Sequence, residues 1–196
     1  KLPDIPATEP IAQEVTKFSG ETIGANILTY LINFVGEPTT ALLKKEFLLN
    51  GHDLGFSGKE GKYLTSDFPT WLRLLSQGNM MYFPTPLSKF RIHDGNEQGQ
   101  FKSRVCGTIS WALAIREAIE RDAYLHDLRM RRSSIVQWLN MMGHILHIAT
   151  TVPEVWEGTE FQDFLRVLTG MTAALQNDCR IEFDIDTTPV LQMDEG

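Results

Sequence analysis

Basic charge, cysteine and long apolar runs are all scarce in this chain of 196 residues. Its 25 acidic and 18 basic side chains leave a net charge of -7, which argues against a surface built to hold nucleic-acid phosphate. The one local exception, Arg129, Arg131 and Arg132, reads as a solvated helix junction. The two cysteines, Cys106 and Cys179, stand far apart with no paired spacing, so neither a disulfide framework nor a zinc site is implied and a reducing compartment fits. No apolar run approaches the length that crosses a bilayer, and the first residues lack the basic, apolar and small-residue order of a signal peptide. No strand-turn-helix glycine pattern of a dinucleotide site or P-loop occurs, and no serine, histidine and aspartate order with supporting glycines suggests a hydrolase. The expectation is a soluble, cytoplasmic protein without a transmembrane segment. At 42% hydrophobic and 22% charged, it has material for a buried core rather than a disordered chain.

What is present reads as α+β and mainly helical, with short strands in the first half and a bundle of about three helices after it. Pro3, Pro6 and Pro10 make the start an extended lead-in, followed by a helical turn within Glu9 to Phe18. Ile23, Ile27, Leu28, Leu31 and Ile32 recur at helical spacing, predicting a helix from Glu21 to Phe34 that stops before Pro38. Thr39 to Lys44 suits a short strand carrying Ala41, Leu42 and Leu43 inward. A glycine-rich loop follows over Asn50 to Gly58, then a helix from Phe68 to Gln77, a strand from Met80 to Pro84 and an extended segment from Leu87 to Ile92. Three amphipathic stripes come next, at Trp111 to Ile119, Ile135 to Ala149 and Phe161 to Leu175, with breaks at Asp127 to Ser133 and Thr151 to Gly158. The character of the chain thus divides it into residues 1–100, a helical region 101–179 and an acidic, loosely held tail 180–196, in which Ile181 to Ile185 suits an edge strand.

Three separated signals read as a site. They are Asn33-Phe34-Val35-Gly36-Glu37-Pro38-Thr39-Thr40, then Ser66-Asp67-Phe68-Pro69-Thr70-Trp71-Leu72-Arg73-Leu74, then Pro86-Leu87-Ser88-Lys89-Phe90-Arg91-Ile92-His93. In this order they resemble the acceptor-side half of family 2 glycosyltransferases, whose base is an aspartate opening a helix of the form Asp-x-x-x-Trp-Leu-Arg-Leu. Asp67 and Trp71 to Leu74 match that register, with Ser66 in place of the glutamate usual before the aspartate. Asp67 equally suits an ordinary helix cap, and a helix start should keep its carboxylate ionised. Arg91 and His93, two apart on an extended segment, point to one side. A histidine bonded to a loop carbonyl is the plain alternative there, and a helix-stop turn is the plain alternative for Glu37.

The resemblance covers about Glu21 to Asn96 and implies part of a GT-A fold. It implies a nucleotide-diphosphate sugar as donor, a glycan or lipid-linked acceptor, and a divalent metal, Mg or Mn, for the complete enzyme. By residue it makes Asp67 the base, sets Glu37 and Trp71 on the acceptor side, and brings Arg91 and His93 near the diphosphate, His93 also as a metal ligand. The nucleotide-binding strands and the metal-binding aspartates would lie upstream of Lys1, so the chain alone is expected to be inactive and to self-associate through an exposed half-domain face. A position at the membrane periphery and a non-catalytic helical interaction domain derived from such an enzyme are the alternatives. His144 and His147 read as a solvent-facing pair, and Asp184 with Asp186 as tail.

Overall fold

In the computed structural model, which describes residues 10–49, 63, 67–86, 101–151 and 156–187, a short strand β1 (Thr16–Phe18) runs directly into helix α1 (Gly20–Tyr30). After a 3-10 turn (Pro38–Thr40) and a short helix α2 (Lys45–Leu49) come α3 (Asp67–Leu75) and strand β2 (Met80–Tyr82). Three longer helices follow: α4 (Phe101–Glu120), α5 (Leu128–Thr151) and α6 (Thr159–Ala174). The architecture is mainly helical, with six α-helices and one two-stranded antiparallel sheet among the described residues. No helix among them is long and apolar enough to cross a membrane.

The strand β1 replaces the expected helical turn before Ser19. Its partner explains why: Thr16 pairs with Tyr82, Lys17 with Met81 and Phe18 with Met80, and the Phe18 and Tyr82 rings meet edge to face at 6.4 Å. Strand pairing across some sixty residues overrides the weak local preference of so short a segment. Phe18 and Met80 lean on the core, while Lys17 and Met81 face outward.

Helix α1 buries Ile23, Ile27 and Leu28 at the spacing the sequence predicts, but it ends at Tyr30 rather than Phe34. Leu31 turns left-handed (φ 53°), and the Asn33 side chain then ties up the local backbone, accepting from the N–H groups of Val35 and Gly36 and donating to the Gly36 carbonyl. Asparagine competes with the helix for those groups. The strand expected over Thr39 to Lys44 is absent: Pro38–Thr40 forms the 3-10 turn, Ala41 donates back to the Pro38 carbonyl, and Leu42 and Leu43 are exposed.

Helices α4, α5 and α6 pack on one another, and α5 also lies against α1. Trp138 Nε1 donates to the Thr108 carbonyl at 2.8 Å, fixing α5 on α4, and Phe164 of α6 lies 6.4 Å from the Trp138 ring. The break between α4 and α5 falls at residues 121–127, ahead of the Asp127 to Ser133 expected. Asp122 and Tyr124 have positive φ and reverse the chain there, and Asp127 Oδ1 accepts the Met130 N–H at 2.7 Å, starting α5 at once. Arg131 in that first turn is bound to the Leu125 carbonyl and to Asp122, so it closes the junction from within.

A single buried cluster runs through all of this: Ile27, Tyr63 and Leu72 belong with Trp138, Phe164 and Met171. Residues 180–187 are held more firmly than expected, and as irregular chain rather than an edge strand. Ile181 is buried, the Arg116 guanidinium sits 4.3 Å over the Phe183 ring and donates to its carbonyl, and Gly170 leaves room for the backbone at Glu182. Residues 188–196 lie outside the described residues, as does the glycine-rich loop from Asn50.

One close approach brings the β1–α1 junction against the α3–β2 junction. A Cβ added at Gly20 would lie 1.9 Å from the Gly78 carbonyl oxygen and 2.0 Å from that of Leu75, so the start of α1 touches the end of α3 backbone to backbone. Gly20→Ala should therefore cost about 1–3 kcal/mol, the usual scale of overpacking. Thermal unfolding of the full chain reads this directly, and an unchanged midpoint would contradict the contact.

Candidate functional site

Two of the three sequence signals meet in space. The Trp71 indole Nε1 on α3 donates to the Gly36 carbonyl at 2.9 Å, across 35 positions of sequence. The loop it grips is already shaped by Asn33 on one side, and on the other the Thr40 hydroxyl donates to the Glu37 carbonyl at 2.7 Å. Gly36, at φ +90°, supplies the left-handed turn between these two ties. Glu37 thus stands half-buried on a backbone anchored before and after it.

Trp71 itself is buried, with its ring in the core. It shapes this region by holding the loop from the core side. Asp67 is the first residue of α3 and half-buried. Being four residues before Trp71, it stands on the same side of the helix. The next residue, Phe68, stacks on Trp111 of α4 at 3.9 Å, which pins the first turn of the helix to the bundle.

Electrostatics at Asp67 run opposite to the simple expectation. A helix N-terminus stabilises a carboxylate, yet desolvation by burial pushes the Asp67 carboxyl above its ordinary value. Burial therefore wins, and the group is a better proton acceptor than an exposed aspartate. Arg91 and His93 lie outside the described residues, so the third signal is not placed.

A second buried polar group has no counterpart in the sequence reading. The Tyr63 hydroxyl donates to Asp163 Oδ2 of α6, and Arg166 Nη1 donates to Asp163 Oδ1 at 2.9 Å. Burial first, and then the bond to Asp163, push the Tyr63 phenol above its usual range. The i,i+3 pairing of Asp163 with Arg166 is visible in sequence, but the tyrosine comes from 100 positions away.

No group of three or more His, Cys, Asp or Glu among the described residues is placed to hold a metal ion. His144 and His147 are exposed, and His144 Nε2 faces Arg104 Nη1 at 3.0 Å. Asp184 and Asp186 lie on the packed segment after α6. His93, the metal ligand that the family resemblance implies, lies outside the described residues. Comparison with protein-family models, with curated proteins and with solved structures finds no match for the chain.

The elevated Asp67 carboxyl has a thermodynamic signature. Its folded state holds a proton more tightly than the unfolded chain, so the corresponding stability is present below the ordinary carboxylate range and is lost as pH rises through the raised value. Asp67→Asn, which cannot ionise, should gain in melting temperature relative to wild type between about pH 4 and pH 7. Paired melts at pH 3 and pH 7 measure this, and a difference that does not change with pH contradicts the burial argument.

Proposed function

We propose that this chain is the acceptor-side part of a glycosyltransferase resembling family 2, which moves a sugar from a nucleotide-diphosphate donor to an acceptor hydroxyl. The observation that carries the reading is the Trp71–Gly36 hydrogen bond, because it joins two motifs that the resemblance sets on one side of a cleft. Asp67, half-buried at the start of α3, supports it as a carboxylate with raised proton affinity.

In this reading Asp67 takes the proton of the acceptor hydroxyl as that oxygen bonds to the anomeric carbon, while the bond from that carbon to the donor diphosphate breaks and the nucleoside diphosphate leaves. Glu37, fixed by the loop, accepts a hydrogen bond from a second acceptor hydroxyl. The resemblance assigns Arg91 and His93 to the diphosphate. No step is assigned to a metal. The nucleotide-binding part belongs to another region of the same protein, and the outward-facing Val15, Met81 and Phe83 around the two-stranded sheet are apolar surface suited to such a contact.

The first measurement is the intact mass of the native protein in its own cells, detected with an antibody to this segment. A mass well above 22.2 kDa supports the reading. In that native protein Asp67→Asn should lower kcat by roughly 10²–10⁴-fold, with nucleotide-sugar affinity and folding retained. Undiminished turnover in the variant, or no transfer from any uridine, guanosine or thymidine diphosphate sugar, overturns it in favour of a non-catalytic helical interaction domain.

A further inference from the structure

One charged side chain is buried without a counter-ion among the described residues. Arg73 on α3 is 9% exposed, and its Nε is sealed from solvent with no hydrogen-bond partner. The ion pairs of the described residues leave it out. Other arginines in partly buried settings are satisfied: Arg131 by Asp122 and the Leu125 carbonyl, Arg116 by the Phe183 carbonyl and ring. The buried Asp163 is likewise held by Tyr63 and Arg166. Among the described residues Ser110 Oγ is the other sealed atom without a partner, but it is neutral and small.

A guanidinium cannot shed its proton to escape burial. Left unpaired it costs far more than an apolar side chain of the same length, and Trp71, Leu72 and Leu75 fill the neighbouring buried positions of α3 with apolar groups. Folding alone would be better served by methionine or leucine at position 73. A cation kept there at a cost to stability points to an anion that arrives from outside.

We propose that Arg73 anchors an oxyanion site, its planar fork donating two N–H bonds to the phosphate or carboxylate group of a ligand. Residues two apart on a helix point about 200° from one another. The site therefore lies on the side of α3 away from Trp71 and the Glu37 loop. The inference rests on burial and pairing alone and does not require the transferase reading.

The test titrates inorganic phosphate and acetate separately into the full chain in a buffer free of both. The readouts are the arginine Nε–Hε signals by nitrogen-15 NMR and the melting temperature. The Arg73 signal, assigned by its loss in Arg73→Met, should shift on saturation with one of the two anions. Wild type should gain roughly 5–10 °C in melting temperature at a hundredfold excess over the Kd. Arg73→Met should show no anion response and melt at or above wild type in anion-free buffer. A response to phosphate assigns a phosphoryl ligand, and one to acetate alone a carboxylate. A wild-type Arg73 signal that neither anion moves overturns the proposal. So does an Arg73→Met protein that melts well below wild type without anions, since that gives the guanidinium a structural partner within the protein.

Discussion

Helix α3 has nine residues, too few to persist in water unaided, so its existence depends on burial. Phe68 stacks on Trp111 of α4, the Leu72 carbonyl accepts the Tyr124 hydroxyl from the α4–α5 turn, and the end of the helix meets Gly20 of α1. The Trp71 bond to Gly36 adds the loop after α1 to the same assembly. Through these contacts one short helix connects the sheet-bearing start of the chain to the helical bundle, and the candidate site inherits its geometry from that connection.

The same burial sets the chemistry. At the first residue of α3 the helix dipole and desolvation compete for one carboxyl, and desolvation prevails. An aspartate serving only as a cap would gain from staying in water, so its partial burial costs stability while raising its proton affinity. Arg73 presents the same trade within the same helix, a charge held where an apolar group would fold better. Tyr63, Asp163 and Arg166, by contrast, satisfy one another, and Ser110 Oγ, the other sealed atom without a partner among the described residues, is neutral. Such local departures from the best packing are where function is to be sought.

Periodic patterns were the legible part of the chain. Ile23, Ile27 and Leu28 announced α1, Trp71, Leu72 and Leu75 announced α3, and the three later stripes announced α4, α5 and α6. The boundaries were less legible because side-chain capping decides them: Asn33 draws backbone donors away after α1, and Asp127 starts α5 earlier than its apolar stripe suggests. Thr16 to Phe18 carried no strand signal that could compete with a helical one, since its partner lies some sixty residues on. In the candidate site Asp67, Glu37 and Trp71 were singled out by motif spacing and Trp71 was expected on the buried face, but its hydrogen bond to Gly36 was not legible.

By itself the sequence determined the helical character, the number and phase of the long amphipathic helices, and the shortage of basic charge. Each of these follows from neighbours within a turn or two, or from composition summed over the chain. Only the tertiary structure decided that Trp71 holds Gly36, that Tyr63 reaches Asp163, that Phe183 is clamped by Arg116, and that Asp67 is half-buried and Arg73 buried. Desolvation and long-range hydrogen bonds depend on which segments come to lie beside one another, and that is a property of the packed core rather than of any local stretch of residues.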